Sequence, residues 1–159
     1  KLEKTFIWII TEFCSLKDLS DYAIEYYLTT GHRLVIMEQI ASGLAYLHGH
    51  DPPLLHRDVK PGNIVVTLKG EKHVVKLADF GVSRFMEGEG SKELMTVLGT
   101  PEYQAPELLD KEQRREREGH AKTGVVYGAH HHRTGAIDVY AAGLFFYQLI
   151  QGKTGEGIS

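Results

Sequence analysis

The chain has 159 residues, a length that suits one domain of ordinary size or part of a larger one. Hydrophobic residues make up 42% of it and charged residues 25%, which is enough apolar material for a folded core. The formal net charge of -3 offers no electrostatic argument for binding nucleic acid or an anionic membrane, so neither is expected as a partner.

The single cysteine, Cys14, excludes an internal disulfide and a metal site built from several cysteines. It favours a reducing, cytoplasmic setting. No apolar run is long enough to cross a bilayer, and the start of the chain lacks a signal-peptide pattern. Because the chain begins without Met and enters an apolar run at once, we expect it to be a piece of a longer protein.

The first part of the chain predicts one strand and two helices. β-Branched and aromatic residues over 5–13 predict a buried strand. A short helix follows, with Ser20 or Asp18 as its N-cap. Apolar residues at three- and four-residue steps over 32–48 predict a longer helix, which Asp51-Pro52-Pro53 ends because a residue before proline avoids the helical region.

The middle of the chain predicts a hairpin beside a long loop. Residues 64–68 and 73–78 have strand-like composition, and Lys69-Gly70-Glu71 between them is a plausible turn. Residues 82–104 are rich in Gly, Ser, Glu and Lys. A loop of that length inside a domain usually carries function or is disordered.

The last third predicts a charged insertion followed by a buried helix. Residues 106–110 can start a short helix, and the insertion runs over about 110–134. Its Arg/Glu run at 114–118 suits a solvated helical face, with docking of a partner as the alternative. The histidines 130–132 can bind a divalent metal, although a flexible polar loop is favoured because adjacent histidines rarely converge on one ion. Residues 137–150 are almost all apolar and predict a core helix.

Two motifs carry the chemistry of the chain. The first is His56-Arg57-Asp58-Val59-Lys60-Pro61-Gly62-Asn63, on a predicted loop, and sixteen residues after Asn63 comes Asp79-Phe80-Gly81. A carboxylate that can accept a hydroxyl proton, an amide that can hold a metal and a second carboxylate for that metal are what phosphoryl transfer needs. Their order and spacing, followed by Ala105-Pro106-Glu107, are hard to obtain by chance.

The first motif resembles the H-R-D-x-K-x-x-N catalytic loop of protein kinases, and the second resembles their D-F-G. The resemblance runs from about residue 6 to 152. It implies an α+β, protein-kinase-like fold with a mainly helical large lobe, small β-hairpins and a small lobe that is largely absent. Residues 1–159 would then be a partial protein kinase domain, comprising the hinge and the first part of the large lobe.

The resemblance assigns four catalytic residues. Asp58 would orient the substrate hydroxyl and accept its proton, and Lys60 would neutralise the transferring phosphoryl group. Asn63 and Asp79 would hold Mg²⁺, with the phosphates of ATP completing its coordination shell. A lysine two residues after the aspartate is typical of serine/threonine kinases, which favours Ser and Thr as the acceptors.

The resemblance also places an adenine and ribose site near the start of the chain. Backbone groups of Glu12 and Cys14 would bond the adenine edge, Asp18 would bind the ribose, and Val65 would touch the adenine face. The alternative for Cys14 is a reactive thiol, but nothing nearby in the sequence supplies the cation that would activate it.

Six further residues have supporting places in the family pattern. His56 and Phe80 would stack together, with His56 acting structurally and not as a base. Asp138 would bind backbone N–H groups of the catalytic loop. The set of supporting residues is His56, Arg57, Phe80, Gly81, Glu107 and Asp138.

The segment Gly99–Tyr103 resembles the substrate-docking end of an activation loop. Thr100 would bond the catalytic aspartate and lysine, and Thr96 and Ser91 are candidates for phosphorylation by an upstream activating kinase. A phosphate on Thr96 could pair with Arg57 and order the loop. These tracts and the long insertion resemble the inhibitor-of-kappaB-kinase-related branch.

The predicted function is therefore a protein serine/threonine kinase that transfers the γ-phosphate of Mg-ATP to hydroxyls of a protein substrate. No G-x-G-x-x-G and no V-A-I-K occurs in the 159 residues, so we expect this piece alone to have little or no activity. One alternative is a pseudokinase or truncated kinase-fold interaction module. Another is a kinase of related fold that acts on a small alcohol or lipid.

Overall fold

We analysed a computed structural model of the chain, which describes residues 8–86, 99–108 and 135–152. The described residues form three α-helices, four short strands and three 3₁₀ turns, an α+β composition. The helices are α1 (Leu19–Glu25), α2 (Thr30–His48) and α3 (Ala136–Gln151); the strands are β1 (Leu54–Leu55), β2 (Ile64–Lys69), β3 (Lys72–Leu77) and β4 (Arg84–Phe85); the 3₁₀ turns are Pro61–Asn63, Pro101–Tyr103 and Pro106–Leu108.

Side-chain caps fix where the first two helices begin. The carboxylate of Asp18 accepts hydrogen bonds from the backbone N–H groups of Ser20 and Asp21, so Asp18 and not Ser20 is the N-cap of α1. Thr29 caps α2 by accepting from the N–H of His32. The predicted helix over 32–48 is confirmed, and it begins two residues earlier at Thr30.

Strands β2 and β3 form the predicted hairpin, in antiparallel register with Ile64 opposite Leu77 and Val66 opposite Val75. Its turn contains Gly70 at a φ of 63°, a conformation that glycine adopts without a steric cost. The outer edge of β2 is partly covered by residues 16–18, because Leu16 and Lys17 exchange backbone hydrogen bonds with Val66. The hairpin is thereby fixed to the segment that precedes α1.

Strands β1 and β4 form a second antiparallel pair, with Leu54 opposite Phe85 and Leu55 opposite Arg84. The catalytic-loop motif begins directly after β1, and the Asp79-Phe80-Gly81 motif precedes β4. This small sheet therefore brings the start of the first motif beside the end of the second, although His56 and Gly81 are 25 positions apart in the chain.

The core lies between α1, α2, α3 and the hairpin. Its most deeply buried members are Leu19, Ile64, Val66 and Phe145. The prediction of a core helix over 137–150 is right for one face of α3 and wrong for the other. Val139, Tyr147 and Ile150 on that second face are 60%, 65% and 56% exposed.

The strand predicted over residues 5–13 is wrong within the part that the structure describes. Residues 8–13 have no strand structure, and Trp8 and Ile10 are 87% and 94% exposed. Strand propensity alone cannot form a strand, because the backbone groups need a neighbouring ladder. No described strand pairs with this segment.

Several predictions lie outside the described residues, namely the insertion over 110–134 with its run at 114–118 and its histidines, and much of the long loop over 82–104. The short helix predicted over 106–110 is a 3₁₀ turn where it is described, at Pro106–Leu108. Among the described helices, none combines the length and apolarity that a membrane span requires.

Candidate active site

The catalytic-loop motif is held by a buried carboxylate at the start of α3. Asp138 lies in the first turn of that helix and is 1% exposed. Its Oδ2 accepts a hydrogen bond of 2.8 Å from the backbone N–H of His56, and its Oδ1 accepts one of 2.7 Å from that of Arg57. A carboxylate that accepts backbone N–H groups in a buried site fixes the path of the chain that carries them.

His48, the last residue of α2, is the third partner of Asp138. Its Nε2 lies 2.8 Å from Asp138 Oδ2 and acts as the donor when the carboxyl group is ionised. A Cβ on Gly135 would lie 2.5 Å from His48 Nδ1, so α3 can approach this ring only with a glycine at that position. His48 was not predicted as a site residue, because its partner is 90 residues away and no local motif marks the contact.

Asp58 lies at the centre of a compact polar cluster. Its Oδ1 accepts two hydrogen bonds of 2.8 Å from Thr100, one from the backbone N–H and one from the hydroxyl. Its Oδ2 lies 3.0 Å from Lys60 Nζ, and the same Nζ donates to Thr100 Oγ1 at 2.6 Å. The structure thus brings together three of the residues that the sequence analysis selected.

The surroundings of Asp58 favour its ionised form. Burial acts to raise the pKa of its carboxyl group, but the hydrogen bonds from Lys60 and Thr100 outweigh burial, and the net pKa is lowered. At neutral pH the group is therefore a carboxylate, the form that can accept a proton.

Asn63 closes the cluster from the other side of the loop. Its Nδ2 donates to the backbone oxygen of Asp58 at 2.9 Å and to Asp58 Oδ2 at 2.7 Å. Both amide hydrogens are then in use, and the side-chain oxygen of Asn63 remains as an acceptor or a metal ligand. The backbone oxygen of Asn63 also accepts from the N–H of Ala78, which connects this loop to the residue before Asp79.

The Asp79-Phe80-Gly81 motif begins in an unusual backbone conformation. Asp79 has a φ of 59°, and its Oδ1 accepts a hydrogen bond of 3.2 Å from the N–H of Gly81. An aspartate tolerates this left-handed region better than most residues because its short side chain bonds locally. The turn leaves Asp79 exposed at the surface of the molecule.

Phe80 packs against the fully buried ring of His56, with 5.0 Å between the ring centroids and an angle of 53° between the ring planes, so the rings are tilted and not stacked. The Nε2 of His56 lies 3.0 Å from the carbonyl oxygen of Ala78 and must donate to it, since a carbonyl can only accept. The ring of His56 therefore connects the two motifs, and its position suits a structural role.

Gly99 lets the segment before Thr100 approach the catalytic loop. It has a φ of 106°, and a Cβ at this position would lie 2.6 Å from the backbone oxygen of Arg57. Only glycine accommodates both conditions.

Arg57 itself has a φ of 71°, and the pKa of its guanidinium is lowered by burial and then by the positive charge of Arg84. Arg84 is a second residue that the sequence analysis missed.

The residues assigned to nucleotide binding form a separate group. Asp18 and Val65 pair through an isolated β-bridge, so these two lie side by side. The carboxylate of Glu12 forms an ion pair with Lys76, and Cys14 is half-buried with a free thiol. Among the described residues, no hydrogen bond joins these four to the Asp58 cluster. Ser91, Thr96 and the side chain of Glu107 lie outside what the structure describes.

The oxygen donors of Asn63 and Asp79 fit a hard divalent cation. Among the described residues, no group of three or more His, Cys, Asp or Glu side chains could hold a metal ion. Mg²⁺ typically takes one or two protein oxygens and completes its shell with water and phosphate. The amide oxygen of Asn63 and the carboxylate of Asp79 are ligands of that chemical kind.

Comparison with known proteins identifies the family. The family model described as "Protein kinase domain" matches residues 2–155. The serine/threonine-protein kinase pakG of Dictyostelium discoideum is 38% identical over 108 residues, which cover 67% of this chain and 9% of pakG. The calcium/calmodulin-dependent protein kinase cmkB of Emericella nidulans is 35% identical over 119 residues, which cover 75% of this chain and 24% of cmkB.

The serine/threonine-protein kinase atg1 of Dictyostelium discoideum is 30% identical over 152 residues, which cover 95% of this chain and 19% of atg1. The chain belongs to the protein kinase family, of the eukaryotic serine/threonine type. It spans less than a quarter of the length of each of these three relatives.

Proposed function

We propose that the protein containing this chain is a serine/threonine kinase that transfers the γ-phosphate of ATP to a hydroxyl group of a protein substrate. The observation that carries the proposal is the Asp58 cluster. An ionised carboxylate, a lysine and a threonine hydroxyl lie within hydrogen-bonding distance of one another, beside the amide of Asn63. This arrangement supplies a proton acceptor and a phosphate-neutralising cation in one place.

In the proposed reaction, Asp58 accepts the proton of the substrate hydroxyl as its oxygen attacks the γ-phosphorus. A new oxygen–phosphorus bond forms, and the bond between the γ-phosphorus and the β,γ-bridging oxygen breaks, which leaves ADP. Lys60 places a positive charge beside the transferring group, and Thr100 holds both Asp58 and Lys60 in position. Asp58 lies in a partly buried site, where such interactions are stronger than in water.

Asn63 and Asp79 are the residues that we propose for holding Mg²⁺, which when bound would neutralise part of the phosphate charge. For the adenine and ribose we propose Glu12, Cys14, Asp18 and Val65. The β-bridge between Asp18 and Val65 supports a common site for two of these residues. Asp18 would have to bind a ribose while its carboxylate also caps α1.

Regulation is proposed to act through the segment before Gly99. Thr96 and Ser91 would be phosphorylated by an upstream kinase, and a phosphate on Thr96 would pair with Arg57, whose pKa is lowered by burial and then by the positive charge of Arg84. The positive charges of both arginines would attract the phosphate, which supports this part of the proposal.

We also propose that the protein belongs to the inhibitor-of-kappaB-kinase-related branch, because of its motifs and its insertion. We propose a cytoplasmic location because the chain has a single cysteine.

Nucleotide binding by the proposed residues can be tested by measuring the melting temperature of the 159-residue chain with and without Mg-ATP. We expect a rise in melting temperature that Asp79→Asn abolishes, whereas Asp51→Asn, which changes an exposed carboxylate after α2, preserves it. An absence of any shift at millimolar nucleotide would show that this chain alone is an inert piece that does not bind the nucleotide. We propose that this chain alone transfers little phosphate, and measurable transfer by it would contradict that.

The full-length protein tests the substrate class. Phosphorylation of serine- and threonine-containing peptides on an array, lost in Asp58→Asn, is the expected result. Transfer to a lipid or a small alcohol without transfer to peptides would instead support a non-protein kinase. Mass spectrometry of the same protein would show whether Thr96 or Ser91 carries phosphate.

A further inference from the structure

A pocket where α1, α2 and α3 meet has no part in the proposed phosphoryl transfer. Its volume is ≈ 440 Å³, which is within the range of sites that bind small molecules. Its lining shares no residue with the hydrogen bonds around Asp58. The lining consists of residues 23–28, at the end of α1 and just after it, together with Arg33, Leu149 and Gly152.

The guanidinium of Arg33 uses only one of its three nitrogens in hydrogen bonds within the described part of the chain. Its Nη1 donates to the backbone oxygen of Ile150 at 2.9 Å. Its Nε is buried without an acceptor, and no described group accepts from Nη2. A buried N–H without an acceptor destabilises a fold and is rare in proteins, so this one points to a missing acceptor.

The two unpaired nitrogens of Arg33 lie on one edge of its guanidinium. An N–H of Nη2 and the N–H of Nε point in the same direction, and such an edge matches the two oxygens of a carboxylate. Nη2 lies beside Gly152, because a Cβ on that glycine would be 3.4 Å from it. Nε is closed to solvent in this conformation. A ligand would therefore meet Nη2 first and reach Nε after a small movement of the side chain.

The part of the lining that belongs to α1 has the opposite chemistry. The last backbone hydrogen bond of this helix is accepted by Tyr22, and no described backbone N–H donates to the oxygens of residues 23–25. Carbonyl groups in the last turn of a helix lack partners for geometric reasons. The last turn has no basic residue, and Glu25 adds a carboxylate, which pairs with Lys17. This part of the pocket is electronegative and rich in acceptors.

We propose that the pocket binds a free α-amino acid with an aliphatic side chain. The carboxylate of the ligand would accept from Nη2 and Nε of Arg33, and its ammonium group would donate to carbonyl oxygens at the end of α1. Its side chain would contact the aliphatic part of the lining, to which Ile24 and Leu149 belong. Inorganic phosphate fits less well, because a dianion would be repelled by Glu25 and would leave the carbonyl oxygens without donors.

The test uses the 159-residue chain and three compounds of similar shape. L-Leucine carries both charges, 4-methylpentanoate lacks the ammonium group, and 3-methylbutylamine lacks the carboxylate. Isothermal titration calorimetry should show that L-leucine binds with a dissociation constant of about 1 mM or lower. The other two compounds should each bind at least about ten-fold more weakly, because each loses one set of charge-assisted hydrogen bonds.

NMR spectroscopy of the arginine side chains measures direct contact with Arg33. The Nε–H signal of Arg33 is identified by its disappearance in Arg33→Lys. It should shift as L-leucine is added, and the shift should give the same dissociation constant as calorimetry. Inorganic phosphate at the same concentration should leave the signal in place.

Two pairs of variants separate the guanidinium from the aliphatic lining. Arg33→Lys preserves the charge but not the paired donors, and it should weaken L-leucine at least about five-fold. Lys69→Met removes an exposed cation outside the lining and should have no effect. Ile24→Thr should weaken binding about three-fold, whereas Val139→Thr, an exposed valine outside the lining, should not. Thermal melting of each variant confirms that it is folded.

Three results would overturn the proposal. The first is an absence of L-leucine binding at about 20 mM. The second is binding of 4-methylpentanoate or inorganic phosphate as tightly as L-leucine, because the pocket would then be a general anion site. The third is unchanged affinity in a folded Arg33→Lys variant. The comparison of the three compounds on the unmodified chain gives a result even if a variant fails to fold.

Discussion

Thr100 donates two hydrogen bonds to the same oxygen of Asp58, from its backbone N–H and from its hydroxyl, each 2.8 Å long. The two residues are 42 positions apart in the sequence. The proposed base is therefore held jointly by its own loop and by the segment that follows Gly99. A change in that segment must alter both the position of the Asp58 carboxylate and its pKa.

Replacing Thr100 by valine tests this dependence directly. Thr100→Val removes the hydroxyl from Asp58 and from Lys60 but preserves the backbone N–H. The pKa of Asp58 should rise, so the acid limb of the pH profile of kcat/KM in the full-length protein should move to higher pH. Activity at neutral pH should fall by roughly ten-fold, the effect of one hydrogen bond to a charged group.

The matched control is Thr30→Val, which changes an exposed threonine at the start of α2. It should leave the pH profile unchanged. An acid limb that does not move in Thr100→Val would show that the hydroxyl has no influence on the base.

The contact between Asp138 and the catalytic loop predicts a large effect on stability. Asp138→Ala leaves the buried N–H groups of His56 and Arg57 without their acceptor, and we expect the free energy of unfolding to fall by roughly 2–5 kcal/mol. Asp138→Asn preserves one acceptor oxygen and should cost about half as much. Urea unfolding of the 159-residue chain measures both.

An exposed acidic residue on α2 provides the comparison for Asp138. Glu38→Ala should change the free energy of unfolding by less than about 0.5 kcal/mol, as surface substitutions usually do. Equal losses in Asp138→Ala and Glu38→Ala would mean that the buried contact contributes nothing beyond an ordinary surface charge.

The sequence predicted those parts of the molecule whose signal is local. Asp18 as a helix cap and the hairpin after Asn63 follow from caps, turns and composition over a few residues. The strand over 5–13 failed because a strand also needs a partner, which propensity does not report. The contact of His48 with Asp138 could not be predicted from the sequence, because it depends on how α2 and α3 pack.

Within the site, the family pattern selected Asp58, Lys60, Asn63 and Thr100, and the structure brings these four together. It included Gly99 in the docking segment but gave it no role of its own, because its importance appears only when its distance from Arg57 is known. The spacing of a motif thus identifies the reacting groups. The residues that allow two segments to approach each other closely can be identified only from the structure.

Gly99→Ala should separate those two segments. The new Cβ would overlap the backbone oxygen of Arg57, and a φ of 106° is strained for any other residue. We expect more than ten-fold loss of kinase activity in the full-length protein, because displacement of Thr100 by about 1 Å is enough to misplace a catalytic group. The loss of stability should be roughly 1–2 kcal/mol.

Gly143 in α3 is the natural control, since a Cβ there meets nothing within 4 Å. Gly143→Ala should preserve activity and stabilise the helix by about 0.5–1 kcal/mol. If Gly99→Ala remained as active as Gly143→Ala, the close approach at Arg57 would be irrelevant to catalysis.

The lowered pKa of Asp58 predicts how its contribution to stability depends on pH. Burial opposes ionisation, but Lys60 and Thr100 bring the folded-state pKa below the ordinary value of 3.8. A depressed carboxyl pKa stabilises the folded state at pH values above 3.8, and that stabilisation is lost as the pH falls through the folded-state pKa.

Asp58→Asn should therefore lower the free energy of unfolding by about 1–2 kcal/mol at pH 7. The difference from the unmodified chain should shrink below pH 4, as urea unfolding at pH 7, 5 and 3 would measure. Asp21→Asn, in the exposed first turn of α1, controls for the loss of one negative charge. A difference for Asp58→Asn that stays constant from pH 7 to pH 3 would show that Lys60 and Thr100 do not stabilise the ionised carboxylate.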